Sequence, residues 1–491
     1  MTRQETLKQK TITSIIWKGL ERVSAQLVST VVSIVLARIL MPDDYSVVSI
    51  VAIFFAFCNI FISGGLNSAL IQKKDADAVD YSTVLITNMA LAAILYVVMF
   101  FSAPLIAELY DKPILTPVIR VMSITFFING YKSILTAKIS SDLKLRKFFF
   151  STIGGTVVSA IVGIVMALEG YGAWALVAQQ MTAALIGTII LAFSAKLALP
   201  LKFSRAKFKT LFNYGGKLFL ASIITVGYNE TRPLIIGVKY SGSELAYYKK
   251  GETFPSLLNT ITSNTIAATL FPAMSKVQDK KETVLGIMRR YFKTGSFFIF
   301  PVMLGFLAIA ENFVQIVLTE KWLFCVPYIQ VFCIVYMLDL IQIGNIQAIQ
   351  SMGRSGYILI MEIIKKSIYF LIVILFVFFV EGPIWLAASS ILCSLVATIV
   401  NIYPNRKLLG YGYWQLIKDV APNFLPALIM CGVVYAMNWL PIHAALLMFL
   451  QVLVGALIYF GLTFLFRNEN LKYVIGLAGS MLKKRKKDEK N

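Results

Sequence analysis

The sequence predicts an all-α polytopic membrane protein with about 14 transmembrane helices, for three reasons. The mean hydropathy is +0.75 and 58% of the residues are hydrophobic, which is far more apolar than a soluble globular chain. Apolar runs of about 20 residues, the length that crosses a bilayer, recur along the whole chain. The basic residues alternate between connections, with about 32 of the 46 Lys and Arg residues in the two termini and the even-numbered connections.

This alternation accounts for the net charge of +21 without nucleic acid as a partner. Because cytoplasmic connections of polytopic proteins carry an excess of Lys and Arg, both termini are predicted to be cytoplasmic. The first apolar run begins near Thr11, contains Lys18, Glu21 and Arg22, and lacks a small-residue cleavage site. It is therefore predicted to be a retained helix rather than a signal peptide.

The ends of the apolar runs place spans 1 to 14 along the chain. The predicted spans are 12–37, 46–70, 82–107, 115–138, 148–168, 173–195, 210–238, 245–274, 285–310, 325–350, 356–380, 384–404, 420–440 and 442–466. No connection exceeds about 20 residues, so there is no room for an extramembrane catalytic domain, and we expect no enzymatic activity. The five cysteines lack paired spacing and the single histidine, His443, lies in a predicted outer connection, so we expect no metal site.

The two halves of the chain show an internal repeat. Residues 35–54 and 235–254 align without gaps at an offset of 200, each running from an apolar helix end through a turn into a Tyr-containing helix start. The offset corresponds to six spans, an even number, so the halves are predicted to be parallel and pseudo-symmetric. The predicted organisation is an N-lobe (1–198, spans 1–6), a cytoplasmic amphipathic connection (199–209), a C-lobe (210–404, spans 7–12), a helix pair (405–466, spans 13–14) and a basic cytoplasmic tail (467–491).

Charged residues at membrane depth are the main functional signal. The stretch from Lys217 to Pro272 is long enough to cross a bilayer twice, yet it contains Glu230, Arg232, Lys249, Lys250 and Glu252 as well as Lys217 itself. Each charge facing lipid costs about 2.5–3.5 kcal/mol at mid-bilayer. We therefore expect these side chains to line a polar cavity.

Cations outnumber acids among the membrane-depth charges by about ten to five, and a positive cavity attracts anions. Because Arg and Lys are the side chains suited to phosphate, the predicted substrate group is a phosphate or pyrophosphate. The candidate substrate-binding cations are Arg22, Lys18, Arg120, Lys132, Lys217, Arg232, Lys249 and Lys250.

Structural interpretations of some of these cations stay open. Lys18, Lys217 and Lys366 are near enough to the inner surface to extend their ammonium groups into water. The neighbours Glu21–Arg22 and Glu230–Arg232 are alternatively ion pairs of the fold.

Four acids at membrane depth are candidate coupling groups for H⁺ or Na⁺, since burial raises carboxyl pKa values. These acids are Glu230, Glu252, Asp339 and Glu362. The membrane potential acting on the cations is an alternative energy source, and no other cofactor is expected. The basic segment KKRKK (483–487) is predicted to bind anionic membrane lipids, unless it only reinforces the topology.

Several short motifs resemble those of bacterial polysaccharide-transport proteins, the Wzx-like flippases of the MOP superfamily. Ser46 and Ala246 stand where members of that family usually carry glycine. The matching motifs are WKGLER (17–22), LARILMPDDY (36–45), GGL (64–66), ALIQ (69–72), IIG (235–237), ELAYY (244–248) and LFPAMS (270–275).

The resemblance implies a V-shaped, two-lobed transporter of the bacterial inner membrane. It would move polyprenyl-pyrophosphate-linked oligosaccharide to the outer leaflet by alternating access, for lipopolysaccharide, exopolysaccharide or capsule. Arg22 carries over as the head-group arginine of span 1, and a polysaccharide polymerase or assembly protein is an expected partner. A MATE-like small-molecule or cation antiporter is the alternative, which the positive cavity disfavours. In a third possibility, a scaffold without transport, neutralising Arg22 or Arg232 would leave function intact.

Overall fold

The computed structural model describes residues 17, 21, 24–63, 65–73, 75–142, 144–195, 197, 199–260 and 265–472, and every regular element within them is helical. Short π-helical (Val314–Leu318) and 3₁₀ (Glu320–Cys325) segments link α12 to α13, and another 3₁₀ turn (Met437–Trp439) follows α16. The α-helices are α1 (Ser24–Ile39), α2 (Pro42–Ser63), α3 (Gly65–Gln72), α4 (Ala78–Leu109), α5 (Leu115–Met122), α6 (Thr125–Ser141), α7 (Arg146–Leu168), α8 (Ala173–Ala195), α9 (Arg205–Lys239), α10 (Gly242–Asn259), α11 (Thr265–Ser275), α12 (Lys281–Phe313), α13 (Val326–Ser351), α14 (Ser355–Phe379), α15 (Pro383–Leu409), α16 (Tyr413–Ala436) and α17 (Ala444–Leu465).

Ten segments of the described chain are long and apolar enough to cross a membrane, so the protein is a multi-pass membrane protein. The predicted spans 1, 7, 8 and 11 are not among the ten. Span 1 corresponds to α1, which has only 16 described residues, and span 8 corresponds to the two shorter helices α10 and α11. Spans 7 and 11 correspond to α9 and α14, which carry charged residues. The count of about 14 therefore stays a prediction. The ten segments are Pro42–Gln72, Ala78–Leu109, Leu115–Ser141, Arg146–Leu168, Ala173–Ala195, Lys281–Leu318, Glu320–Ser351, Pro383–Leu409, Tyr413–Trp439 and Ala444–Leu465.

The chain divides into two compact units, unit 1 (Met1–Ala246) and unit 2 (Tyr247–Asn491). In unit 1, α7 packs along α8, and α9 packs against α2 and α3. In unit 2, α12 packs against α13 and α16, while α15 packs against α13 and α14. The lobe boundaries at 198 and 210 stay predictions.

The helix boundaries agree with the predicted repeat. Helix α1 ends at Ile39 and α9 ends at Lys239, while α2 begins at Pro42 and α10 begins at Gly242. Both pairs of positions differ by the offset of 200 found in the sequence. The two corresponding turns therefore occupy equivalent places in the helix order.

The span predicted at 115–138 lies within the membrane-crossing segment Leu115–Ser141, in which the chain forms α5 and α6 with a break between them. At the break, the Ser123 hydroxyl donates to the Ile119 carbonyl at 2.7 Å, and the Thr125 hydroxyl donates to the Met122 carbonyl at 2.6 Å. Ser and Thr side chains that bond to nearby carbonyls compete with the helical ladder, which explains the interruption.

The contact between α3 and α9 depends on glycine at two positions. A Cβ added to Gly65 would lie 1.7 Å from the Gly215 carbonyl oxygen, and one added to Gly215 would lie 2.6 Å from the Gly65 carbonyl carbon. Real side chains do not approach backbone atoms so closely. The two backbones can therefore touch only because both residues lack a Cβ.

A buried ion pair joins α16 to α12 in unit 2. Asp419 is 2% exposed and accepts two hydrogen bonds from Arg289, one from Nε and one from Nη2, both at 2.8 Å. The Tyr411 hydroxyl donates to the same carboxylate at 3.1 Å, and Lys293 Nζ lies 3.8 Å from it. The carboxylate is thus satisfied on both oxygens, as a buried charge requires.

A cluster of amides joins α12, α16 and α17 near the other end of these helices. Asn312 donates to Asn438 at 2.8 Å and to Gln451 at 2.9 Å, and Gln451 donates to Asn438 at 2.7 Å and to the Val434 carbonyl at 3.0 Å. Because buried amides are costly unless paired, this cluster fixes how the last two helices pack on α12.

Candidate functional site

One polar cluster of unit 1 joins three helix-to-helix turns. The Asp43 carboxylate at the start of α2 pairs with Lys112, which lies between α4 and α5. It also accepts from the Ser243 hydroxyl at the start of α10, at 3.2 Å. A Cβ on Gly242 would lie 2.9 Å from the Lys112 side chain, so the turn fits closely against it. Asp43 and Ser243 differ by the repeat offset of 200, so equivalent turns meet here.

A second cluster of unit 1 lies where the basic connection enters α9. Lys207 Nζ lies 2.5 Å from Asp77 and 3.6 Å from Asp80, and Lys73 Nζ lies 2.7 Å from the buried Asp80. Asp77 caps α4 by accepting from the backbone N–H groups of Val79 and Asp80. The pKa of Asp77 is lowered from 3.8 to about 2, mainly by the hydrogen bond from Lys207 and next by the backbone N–H of Asp80.

Lys132, one of the predicted cations of unit 1, has an acid near it in the structure. The half-buried Lys132 of α6 interacts electrostatically with Glu21, which is 8% exposed. Glu21 also accepts from the Thr152 hydroxyl of α7 at 2.9 Å. Lys132 Nζ lies 3.8 Å from the position that a Cβ on Gly187 of α8 would occupy. Three helices therefore converge on this acid–base pair.

The other predicted cations of unit 1 have different surroundings. Arg120 is half-buried, lies 4.2 Å from the centre of the Phe100 ring, and donates from Nε to the Phe100 carbonyl at 3.3 Å. Lys217 is exposed, whereas Arg232 is 7% exposed within α9. Pro233, the next residue, has no N–H, so the helix lacks one backbone hydrogen bond beside Arg232. The candidate acid Glu230 is half-buried on the same helix.

The predicted cations of unit 2 lie on α10. Lys250 is 5% exposed, and its Nζ lies 5.3 Å from the centre of the Trp322 ring, whereas Lys249 is half-buried. A Cβ on the next residue, Gly251, would lie 2.4 Å from the Tyr328 side chain. The absence of a side chain at Gly251 thus lets α10 pack closely on the start of α13, which buries the neighbouring ammonium group.

Two of the candidate coupling acids share one face of unit 2. Glu252 accepts from the Tyr336 hydroxyl at 3.1 Å, and Asp339, one helical turn beyond Tyr336 on α13, accepts from Asn259 Nδ2 at 3.0 Å. The other amide atom, Asn259 Oδ1, is buried and has no hydrogen-bond partner among the described residues. A polar strip between α10 and α13 therefore carries two carboxylates and an acceptor oxygen that lacks a donor.

The surroundings of Asp339 include groups from other helices. Lys365 of α14 interacts electrostatically with Asp339 and pairs with Glu362, the last candidate acid, at 2.5 Å. Tyr291 of α12 also interacts electrostatically with Asp339. The structure thus places Glu252, Asp339, Glu362 and a lysine within one polar region of unit 2.

Lys18, Arg22 and the basic segment 483–487 lie outside the described residues. The predictions for them stay predictions. Sequence reasoning missed the Arg289–Asp419 pair and the Lys73–Asp80–Lys207 cluster. The close spacing of acids in KKDADAVD (73–80), beside an apolar run, was the available signal for the second cluster.

The comparisons with known proteins find polysaccharide biosynthesis proteins by sequence and membrane transporters by structure. The sequence profile of a family described as polysaccharide biosynthesis protein matches residues 35–327. A Klebsiella pneumoniae protein described as an uncharacterized membrane protein in the cps region is 26% identical over 98% of this chain and 100% of its own. The lipopolysaccharide biosynthesis protein WzxC of Escherichia coli K12 is 24% identical over 88% of each chain. The structure of the lipid II flippase MurJ in its inward closed conformation has a TM-score of 0.74, with 15% identity, over 93% of this chain and 100% of MurJ.

A multi-pass helical fold with charged side chains buried in its helices is typical of membrane transporters. The likeness to MurJ shows that the chain shares the fold of a solved membrane transporter. The family profile covers more than half of the 491 residues, and the chain belongs to the polysaccharide biosynthesis protein family. This confirms the resemblance to polysaccharide-transport proteins that the sequence motifs indicated.

Proposed function

We propose that this protein is a flippase that moves polyprenyl-pyrophosphate-linked oligosaccharide across the bacterial inner membrane by alternating access. The observation that carries the proposal is the burial of basic side chains within apolar helices. Arg232 and Lys250 are 7% and 5% exposed. Buried cations are expensive in a membrane protein, and a role in binding an anionic group gives a reason to keep them.

The names of the relatives support this proposal. WzxC is named for lipopolysaccharide biosynthesis, and MurJ is a flippase of lipid II. The proposed substrate shares with lipid II the need to carry a polar head group through the bilayer. Transport is the role that the name of MurJ states, and it is compatible with a part in lipopolysaccharide biosynthesis.

The residues proposed to bind the head group are basic side chains at membrane depth. In this proposal the pyrophosphate binds to side chains of the predicted cationic set while the polyprenyl chain stays in lipid. Arg232 and Lys250 are the best-buried described members of that set, whereas the exposed Lys217 is the weakest candidate. The proposal includes the prediction, from the distribution of Lys and Arg, that both termini are cytoplasmic.

We further propose that H⁺ or Na⁺ movement through unit 2 drives transport. Asp339, Glu252 and the unpaired Asn259 Oδ1 provide carboxylate and amide oxygens in a buried strip. Such oxygens are the donors that hard cations and protons use. The proposed partners outside the bilayer are a polysaccharide polymerase or assembly proteins, and anionic lipids at the basic tail.

The test is surface polysaccharide in a strain that depends on this chain. Arg22→Ala and Arg232→Ala are expected to abolish surface polysaccharide while membrane-inserted protein stays at the wild-type level. Arg406→Ala is the matched control, because Arg406 is an exposed arginine at the end of α15. Normal polysaccharide in both test variants would rule out the head-group role of these arginines.

A further inference from the structure

A groove of about 280 Å³ lies within unit 1 among α2, α3, α4 and α9. Its walls are mainly aromatic and aliphatic, and include Phe61, Leu66, Leu91, Phe208, Phe212 and Phe219. Thr87 also lines the groove, but its hydroxyl already donates to the Thr83 carbonyl at 2.8 Å. The groove therefore offers contact to hydrocarbon rather than to a polar head group.

Two cations lie near the start of α9, beside the first residues of that helix that line the groove. Residues three or four apart share a helical face, so Arg205 adjoins Phe208 and Lys209 adjoins Phe212. Arg205 and Lys209 are both exposed. At 1.5 Å per residue, Lys209 lies about 10 Å along the helix axis from Gly216, which lines the groove. An apolar groove thus has two exposed cations at one end.

The charges near this end do not cancel these two cations. Asp77 and Asp80, the acids that contact the first turn of α9, are paired with Lys207 and Lys73. Arg205 and Lys209 instead belong to the part of α9 that lies within the basic connection 199–209. The distribution of Lys and Arg predicts that this connection is cytoplasmic, where the inner leaflet is rich in anionic lipid.

We propose that this groove binds an acyl chain of an anionic phospholipid from the inner leaflet, with Arg205 and Lys209 over its phosphate. Cations at one end and hydrocarbon contacts below them match the two parts of such a lipid. Arg205 and Lys209 are not among the cations assigned to the transported substrate. It makes the position of α9, which touches α3 through Gly215 and Gly65, sensitive to the anionic lipid content of the membrane.

The test measures lipid binding to the purified full-length chain. Native mass spectrometry in detergent would count bound phosphatidylglycerol and, separately, phosphatidylcholine with the same acyl chains. We expect wild-type protein to retain phosphatidylglycerol at least tenfold more tightly than phosphatidylcholine. The Arg205→Gln/Lys209→Gln double variant changes exposed side chains, and we expect it to weaken phosphatidylglycerol binding about 30-fold, at about fivefold per interfacial cation.

A second variant tests the groove itself. A Cβ on Gly216 would meet the Phe212 ring at 3.6 Å, an ordinary contact, so Gly216→Leu places a side chain in the groove without a backbone clash. Gly227→Leu is the matched control, because it lies on the same helix with nothing within 4 Å of its added Cβ. We expect Gly216→Leu to lose one tightly bound phosphatidylglycerol and Gly227→Leu to keep it.

Three results would overturn the proposal. The first is equal binding of the two phospholipids, which would make the groove an ordinary lipid contact. The second is an equal loss of bound lipid in the two leucine variants. The third is displacement of phosphatidylglycerol by polyprenyl phosphate in the wild type but not in Gly216→Leu, which would assign the groove to the substrate chain.

Discussion

Removing the Asp419 carboxylate tests whether the Arg289–Asp419 pair holds α16 to α12. Asp419→Ala deletes two hydrogen bonds from Arg289 at 2.8 Å and the acceptor of the Tyr411 hydroxyl at 3.1 Å. The variant leaves one guanidinium without its partner in a region that is otherwise closely packed. The helix pair formed by α16 and α17 should therefore be held less firmly.

The size of the effect depends on how deeply the Arg289 and Asp419 side chains are buried. Breaking a fully buried pair costs about 3–5 kcal/mol. The Arg289 side chain is 44% exposed, so water can solvate part of the freed charge, while Asp419 is 2% exposed. We therefore expect a loss of about 2–3 kcal/mol in the free energy of unfolding of unit 2, including the unpaired Tyr411 hydroxyl.

The assay is thermal unfolding in detergent, followed by a thiol-reactive dye. Cys333 and Cys431 are buried in unit 2 and report its opening. At about 2–4 °C per kcal/mol for a unit of this size, Asp419→Ala should lower the apparent Tm by about 4–12 °C. Glu469→Gln is the control, because Glu469 is 83% exposed and lies 3.5 Å from Lys293, and surface pairs contribute less than about 1 kcal/mol. An unchanged Tm in Asp419→Ala would refute the reasoning.

Three further predictions concern other contacts. Gly65→Ala should destabilise unit 1 by about 1–3 kcal/mol, because its Cβ would overlap the Gly215 carbonyl. The control Gly227→Ala should be neutral or stabilising. Equal Tm values of the two variants would contradict this prediction. The lowered pKa of Asp77 means that its bond to Lys207 stabilises the fold above about pH 4 and is lost as the pH falls towards 2. The hydrogen-exchange rate of residues 199–210, corrected for intrinsic rates, should therefore rise in the wild type as the pH falls over that range. In Asp77→Asn the corrected rate should not depend on pH. Asp339→Asn should reduce ion-driven transport at least tenfold and leave the Tm within about 2 °C, and full transport under an imposed H⁺ or Na⁺ gradient would exclude Asp339 from coupling.

The positions of the first turns of the two halves could be predicted from sequence. The offset of 200 matches helix ends at Ile39 and Lys239 and helix starts at Pro42 and Gly242. The residues that form a turn and the spacing of apolar residues are local features, so they can be recognised in a single sequence. What the alignment did not indicate is that Asp43 and Ser243 are hydrogen-bonded to each other, since contact between distant turns is a property of the packed chain.

Breaks within helices, and the side chains that surround each buried charge, were harder to predict. The break at Ser123 depends on a hydroxyl-to-carbonyl bond that Ser residues inside apolar runs form only in some contexts. Lys250 and Lys217 looked alike as membrane-depth lysines, yet Lys250 packs on Trp322 and Lys217 is exposed. Burial of a single charge depends on a neighbouring helix, here brought close by Gly251, and hydropathy along one helix does not contain that information.

The most direct test of the central claim is lipid translocation by the purified chain in vesicles. The probe is a fluorescent polyprenyl pyrophosphate carrying one oligosaccharide unit, and a membrane-impermeant quencher reports the leaflet that it occupies. We predict that wild-type protein equilibrates the probe between leaflets, that Arg232→Gln and Lys250→Gln slow it at least tenfold at unchanged Tm, and that Arg406→Gln does not. A wild-type chain that leaves the probe in its original leaflet, or that instead exports cationic dyes as an antiporter would, contradicts the account.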